Sequence, residues 1–277
     1  MSAASKTERK TLDAWARVQL ARQAERPHTL DYIDDLCTDF IELHGDRAFR
    51  DDPAIVSGIA RLRGSDRTVA IVGHQKGANT KENLRRHFGM AHPEGFRKAR
   101  RIMRHAEKFG LPLLTFLDIP GADPGIASEE RGQGTAIAEC IQTLTELRVP
   151  IIATVIGEGG SGGALALGVA DHVLMLENAV YAVASPDAAA SILWKDAKQA
   201  PAAAAAMRIT ALDALELGVI DQIVPEPTPA HEDPHAAIHA VGSAIREALD
   251  HLVALDTDEL LAARYRKFRA IGKWSEV

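Results

Sequence analysis

Apolar positions along the chain switch between a helical spacing and short unbroken runs, and this switching carries the fold prediction. Leu12–Gln23 has the helical spacing and stops before Arg26-Pro27; Asp31–Leu43 repeats it up to a Gly45-Asp46-Arg47 turn. Ile55–Leu62 and Thr68–Gly73 then read as a hairpin joined through Gly64-Ser65-Asp66. From there strand and helix alternate. Gly95–Phe109 sets Phe96, Ala99, Met103 and Ala106 on one helical face, with arginine and lysine elsewhere. Leu111–Leu117 is a buried strand ending at Asp118-Ile119-Pro120-Gly121. Ser128 can cap a helix with Glu129 and Glu130 in its first turn and Ile137, Ile141 and Leu144 as its buried stripe. Strand Ile151–Ile156, a glycine-rich turn, an apolar helix at Gly163–Ala170 and strand His172–Leu176 follow. Ser185-Pro186-Asp187 has the cap, N1 and N2 residues of a helix through Trp194. Thr210 with Asp213 opens another, stopped at Gly218 before strand Val219–Val224, and helices from Pro234 and Asp258 close the chain. This order predicts an α/β protein with a largely parallel sheet.

Composition narrows the class. The 277 residues, 46% of them hydrophobic, can bury one large core. A net charge of −6 argues against a general binder of nucleic acid or anionic membranes. Cys37 and Cys140 lie too far apart in sequence for a zinc motif, fit no disulfide framework, and so point to a reducing cytoplasm. The apolar runs Val149–Ile156 and Ala164–Ala170 are too short to span a bilayer, and the polar Met1–Lys10 lacks the apolar core of a signal peptide. A cytoplasmic location is therefore expected.

The chemistry centres on Gly157-Glu158-Gly159-Gly160-Ser161-Gly162-Gly163, between an apolar strand and an apolar helix. Ligands of parallel α/β sheets bind beyond the carboxyl ends of strands, where glycines let them approach backbone amides. Three readings fit. Gly157, Gly159 and Gly162 match G-x-G-x-x-G, with Glu177 placed to hold a ribose. Gly159, Ser161 and Gly163 match G-x-S-x-G, with Asp171 or Asp187 and His231 following in triad order. Alternatively, the Gly159 and Gly160 amides form an oxyanion hole and no side chain does the chemistry. Local pattern does not rank them, and tight packing without a ligand is a fourth account of the string.

Two other clusters read more simply. Arg97, Lys98, Arg100, Arg101 and Arg104, with Arg85, Arg86 and His87 nearby, fit a solvated helix face better than a patch for phosphates or an acidic partner. His235 and His239 have the i, i+4 spacing of zinc ligands but lack a third ligand, so no metal is expected. Glu158 either orients the glycine string or is polar surface.

Several ordered strings then converge on one family. Arg26-Pro27-His28-Thr29-Leu30-Asp31-Tyr32, Gly45-Asp46-Arg47-Ala48, Gly73-His74-Gln75-Lys76-Gly77 and Phe88-Gly89-Met90 come first. Pro93-Glu94-Gly95-Phe96-Arg97-Lys98-Ala99, Asp118-Ile119-Pro120-Gly121-Ala122, Glu129-Glu130-Arg131-Gly132-Gln133, Val155 to Leu167 and Ser191-Ile192-Leu193-Trp194 follow. From about Arg26 to Gly272 the chain closely resembles the alpha subunits of bacterial acetyl-CoA carboxylase carboxyltransferase.

The resemblance implies a crotonase-like fold of repeated ββα units with flanking helices. It divides the chain into an N-terminal helical extension (1–25), a carboxyltransferase domain (26–255) and a C-terminal helix (256–277). It implies transfer of a carboxyl group from carboxybiotin, held on a biotin carboxyl carrier protein, to acetyl-CoA, giving malonyl-CoA for fatty acid synthesis. The partners implied are a beta subunit that carries zinc and binds acetyl-CoA, in an α2β2 assembly, and a biotin carboxylase that consumes ATP. Gly159 and Gly160 become the oxyanion hole for the biotin ureido oxygen. Gly121, Ala122, Gly157 and Gly162 complete the substrate pocket. The chain departs from the family pattern at Asp123, where an aromatic is usual, at Asp187-Ala188, where Glu-Gly is usual, and at Ala78-Asn79 in place of a charged pair. Its N-terminal extension is shorter than in many members. An altered paralogue, acting on another acyl-CoA or serving only in assembly, is the alternative these departures raise.

Overall fold

The computed structural model describes residues 12–272. The polar Met1–Lys10 stretch, the first eleven residues of the 1–25 extension and the last five of the 256–277 helix lie outside the described residues.

Helices α1 (Ala14–Ala21) and α2 (Thr29–Leu36) lead into an antiparallel run of β1 (Cys37–Glu42), β2 (Ile55–Leu62) and β3 (Thr68–His74). Helices α3 (Thr80–Arg85) and α4 (Pro93–Phe109) connect to β4 (Leu113–Ile119), and α5 (Ile126–Glu130) and α6 (Gln133–Glu146) connect to β5 (Ile151–Gly160). Helix α7 (Ser161–Gly168), β6 (His172–Leu176) and β7 (Val180–Ala182) come next, then α8 (Pro186–Trp194), α9 (Ala200–Met207), α10 (Ala211–Glu216) and β8 (Gln222–Val224). Helices α11 (Pro234–Leu252) and α12 (Thr257–Ala270) complete the described chain. The strands lie in the order β1-β2-β3-β4-β5-β6-β8, with β7 paired to the far end of β5. The pairs from β3 through β6 to β8 are parallel, since helical crossovers return the chain to the same edge each time.

Strands β4 and β5 are buried at every residue, as central strands covered on both faces must be. Phe96, Ala99, Ile102, Met103 and Ala106 of α4 form one side of that cover. Three strands predicted from their apolar runs, now β4, β5 and β6, do share one parallel sheet. Two of the three caps read from sequence also hold. Ser185 accepts the Ala188 N–H, and Thr210 with Asp213 forms a reciprocal capping box.

Several expectations need correcting. The helix predicted over Asp31–Leu43 stops at Leu36, and the chain continues as edge strand β1 against β2. Phe40 and Ile41 there imitate a helical stripe, while Asp39 at φ 55° breaks the register, a bulge that blunts an exposed edge. Ser128 caps nothing: it is buried inside α5, its Oγ 2.7 Å from His92 Nδ1. Gly132, at φ 83°, separates α5 from α6, whose buried stripe includes Ala136, Cys140 and Leu144 while Ile137 and Ile141 sit at its margin. The last strand begins at Gln222 rather than Val219, and the short β7 has no counterpart in the sequence pattern. Most consequentially, the glycine string is no turn. Gly157–Gly160 extend β5 by four residues, and α7 begins at Ser161.

The C-terminal helix is tied to the core by a buried arginine. Arg264 donates to both oxygens of Asp171 at 2.7 Å and to the carbonyls of Leu144, Leu147 and Val149. Those carbonyls end α6 and enter β5, so one side chain satisfies orphan acceptors and joins three elements.

At the end of β3 lies a second buried ionisable group, His74. Burial pulls its pKa down to about 4, against the opposing pull of the Asp118 carboxylate. The folded value is below the ~6.5 of an unfolded histidine, so the fold favours the neutral ring. Its contribution is complete above pH ~6.5 and lost as the pH falls toward 4, at a cost of about 3 kcal/mol. Urea unfolding at steps from pH 7.5 to 4.5 should show this decline, flattened in His74→Gln. Parallel profiles for the two proteins would exclude His74 as the titrating group.

Candidate functional site at the carboxyl end of β5

Strands β4 and β5 run in register from Leu113↔Ile151 to Leu117↔Val155, but the next pair is Ile119↔Gly159. Asp118 alone therefore faces Ile156, Gly157 and Glu158, and β5 carries a bulge of two extra residues. A bulge lifts amides off the ladder, and buried amides need other acceptors. Asp118 meets the need: its Oδ1 accepts the Glu158 N–H at 3.0 Å. A Cβ on Gly157 would occupy that carboxylate's place, which accounts for glycine there. Glu158, the one residue of the string before Ser161 that has a side chain, commits its carboxylate to a cluster of charges.

That cluster surrounds Asp118 at the strand ends. Lys76, just past β3, reaches Asp118 Oδ1 at 2.7 Å and Glu158 Oε2 at 3.0 Å. His28 Nδ1 lies 3.3 Å from Asp118 Oδ2. On the outer side, Arg22 from the end of α1 bridges Glu158 Oε1 and Asp187 Oδ2, both at 2.8 Å. Burial alone would raise the Asp118 pKa, but the Lys76 ammonium and His28 hold it well below the usual carboxylate range. Lys76 moves the opposite way: burial would lower its pKa, and Asp118 and Glu158 outweigh burial to raise it. Both ions are thus locked in their charged forms. They border a cleft of about 270 Å³ whose lining includes Arg22, His28, Phe88, Pro120 and Glu158.

Gly159 and Gly160 line a narrower crevice beside that cleft, together with Pro120, Glu158, Ala182 and Ser185. Gly159 pairs with Ile119 on one side and Tyr181 on the other, and Gly160 pairs with Ala182. A Cβ on Gly160 would run into the Pro120 carbonyl, so β4 and β5 touch there at the closest approach a backbone permits. The other residues predicted for the pocket have separate places. Gly121 and Ala122 follow β4, and the Ala122 amide abuts the first turn of α7 at Gly163. Gly162 faces Ile137 of α6, and Gly157 faces Asp118.

This geometry separates the readings of the string. A dinucleotide site needs its glycines in a turn that opens a helix, whereas Gly157 and Gly159 belong to a strand. Glu177 is engaged elsewhere, accepting the Glu226 N–H. Ser161 has the left-handed φ of 58° and the exposure that a nucleophile would use. No histidine bonds to it among the described residues. Asp171 is held by Arg264, Asp187 by Arg22, and His231 lies beside Glu232. Two readings of the string are compatible with this geometry: an amide-based site, and tight packing of β4 against β5 at Gly160.

The clusters weighed alongside it also resolve. Lys98 is buried against Asp51 and the Asp52 carbonyl, so that helix face is not all solvated. His235 is 84% exposed and sits 3.5 Å from Asp35, as suits a helix start. Among the departures from the family pattern, Asp123 accepts the Gly125 N–H, Asp187 pairs with Arg22, and Asn79 caps α3. All three have local structural work. What sequence reasoning missed is the Lys76–Asp118–Glu158 cluster. Its members stood inside quoted strings, and a lone charge at the end of an otherwise apolar run was the available signal.

Comparison with known proteins places the chain. The model of the family described as acetyl co-enzyme A carboxylase carboxyltransferase-like matches residues 1–272. The acetyl-coenzyme A carboxylase carboxyl transferase subunit alpha of Thermus thermophilus is 56% identical over 96% of this chain and 84% of its own length. That of Deinococcus radiodurans is 55% identical over the same shares. Among solved structures, transcarboxylase 12S superposes with a TM-score of 0.68 at 20% identity, over 86% of this chain and 45% of that one. A Pseudomonas malonate decarboxylase hetero-tetramer gives 0.62 at 21%, over 77% and 85%. Those two likenesses show the fold, the crotonase-like one that the sequence strings implied. With a family model spanning nearly the whole chain and relatives above 50% identity, the chain belongs to the acetyl-CoA carboxylase carboxyltransferase alpha-subunit family.

Proposed function

We propose that this chain is the alpha half of an acetyl-CoA carboxylase carboxyltransferase, moving a carboxyl group from carboxybiotin to acetyl-CoA to give malonyl-CoA. The identity of 56% across 96% of the chain carries that reading. Its site is the bulged end of β5, with Gly159 and Gly160 as the backbone donors. Carboxybiotin, brought on a carrier protein, supplies the activated carboxyl group. As that group departs, negative charge grows on the ureido oxygen, and N–H donors fixed beforehand stabilise it without reorganising. The Asp118 contact to Glu158 supports this role, because it fixes the backbone one residue before the donors. The acetyl methyl must lose a proton as the new carbon–carbon bond forms, and the ureido nitrogen relieved of the carboxyl group would take it. No acid/base side chain is therefore required, in keeping with charges at Lys76 and Asp118 that are locked.

The acetyl-CoA side belongs to a beta subunit in this reading, and the surface beside the site supports a partner. Val183 directly follows β7, the strand paired with Glu158–Gly160, and is 82% exposed. Ile192, Leu193 and Trp194 at the end of α8 are exposed as well. Adjacent apolar residues open to water mark interaction surfaces. A cytoplasmic setting is part of this proposal. Among the described residues no helix is long and apolar enough to cross a membrane. The departures at Asp123 and Asp187 are absorbed by local contacts, so they favour no other chemistry.

Two outcomes are expected. The purified chain, given carboxylated biotin carrier and acetyl-CoA, should form no malonyl-CoA until a beta subunit from the family is added. Robust turnover by the chain alone would contradict the division of the site between subunits.

The second outcome concerns atoms. Ser161→Ala should keep carboxyl transfer within about threefold, since the hydroxyl has no role. Gly160→Ala forces β5 away from Pro120 and displaces a donor, and loss of one such donor costs roughly 100- to 1,000-fold in rate. Both variants are to be assayed after assembly with the beta subunit is verified by gel filtration. Normal turnover by Gly160→Ala with a dead Ser161→Ala would refute the amide site and revive the serine.

A further inference from the structure

A second site is suggested by the Gly45-Asp46-Arg47 turn, which the carboxyl-transfer reading leaves without a task. Gly45 and Arg47 both hold positive φ, 77° and 65°, and the turn presses against α4. There Arg101 donates to the Gly45 carbonyl from Nε and to the His44 carbonyl from Nη2, each at 3.1 Å. Arg47 donates to the same His44 carbonyl at 2.9 Å. Two guanidinium groups therefore converge on one neutral oxygen. Neither has a carboxylate within ion-pair reach among the described residues.

Like charges do not gather on a carbonyl for its own sake, because each meets a repulsion that one weak acceptor does not offset. Burial and the Arg47 charge hold Arg101 below its ordinary pKa, a sign that its positive charge is under-compensated. The two acids that act on Arg101 give little relief, Asp51 being paired with Lys98 at 2.6 Å. Asp46 already accepts the N–H groups of Ala48, Phe49 and Arg50 and pairs with Arg97 at 2.8 Å. The groove beside them is about 420 Å³, lined by Asp46, Arg97, Arg100, Arg101, Arg104 and His105. At its rim Arg104 reaches Glu107 at 3.2 Å and Glu146 at 3.5 Å, exposed contacts that a stronger anion can displace.

We propose that this groove binds a phosphate group, with Arg101 as its principal ligand, Arg104 closing from the rim, and Arg47, on the same His44 carbonyl as Arg101, adding a second positive charge beside it. Paired guanidinium groups offer several N–H donors to the oxygens of a phosphate and relieve their mutual repulsion when it arrives. The phosphate is either a free inorganic species or part of a nucleotide such as coenzyme A. The groove shares no lining residue with the cleft at Asp118, so this inference stands apart from the carboxyl-transfer reading.

Calorimetric titration of the full chain with inorganic pyrophosphate and, separately, with coenzyme A and 3′-dephospho-coenzyme A tests it. At least one of the three should bind at low salt, and its affinity should fall on raising salt from about 50 to about 200 mM. Arg101→Gln drops the charge and can keep at most the bond to the Gly45 carbonyl, and it should weaken that binding at least tenfold; Arg47→Ala should weaken it as well. Pyrophosphate alone binding assigns the groove to a free anion. Coenzyme A binding that needs the 3′-phosphate assigns it to the nucleotide. Absence of binding by all three, or binding that both variants retain, overturns the proposal.

Discussion

The carboxylate of Asp118 is the interaction on which the site depends. It lies at the end of a buried strand, opposite a neighbour carrying two more residues than the ladder can pair. A displaced amide at that depth must find an acceptor or cost about 1–3 kcal/mol, and the carboxylate is that acceptor. An ionised acid so placed must itself be neutralised, which brings in Lys76. Lys76 then binds Glu158, the residue whose amide began the chain of needs. The circuit closes on three side chains from three adjacent strand ends. Arg22 extends it outward to α1 and to the first turn of α8.

Such a circuit is costly to assemble and rigid once made. Removing one partner of a buried pair leaves an uncompensated charge, roughly a 3–5 kcal/mol penalty. An apolar packing of the same volume would hold the fold as well, so stability alone does not call for the ions. Rigidity at one point of backbone does. Gly159 and Gly160 carry no side chains that packing could grip, and the contacts on either side of them set their position. Glu158 is held through its amide and its carboxylate, and Gly160 rests against the Pro120 carbonyl. The oxyanion site proposed at Gly159 and Gly160 needs that kind of support, since such donors act by being in place beforehand.

Much of the architecture was legible because buried strands and amphipathic helices leave different spacings. The β4, β5 and β6 runs, the helices of α4 and α11, and the caps at Ser185 and Thr210 all followed from local pattern. Local pattern failed where tertiary pairing overrides it. Cys37–Glu42 has helix-like spacing, yet its backbone is drawn into the sheet by β2. Gly157–Gly160 have turn composition, yet β4 and β7 flank them and make them strand. The glycine string is misleading in its conformation, and the chemistry proposed for it rests on the family strings around it. The charge circuit was invisible for another reason: its members are separated by 42 residues between Lys76 and Asp118 and 40 between Asp118 and Glu158, and only the parallel crossovers bring them together. Family strings contained all three without saying what they do.

In the proposed mechanism Lys76 and Asp118, 2.7 Å apart, act as one unit to hold the end of β5 for carboxyl transfer. A double-mutant cycle of Lys76→Met and Asp118→Asn, read as kcat/KM in complexes assembled with the beta subunit, tests it most directly. If the two residues act as a unit, each single change already forfeits most of the activity. The double variant is then no worse than the poorer single, with a coupling above about 1.5 kcal/mol. Losses that simply add, within about 0.5 kcal/mol, would mean that the two residues act independently and that the circuit does not position the site.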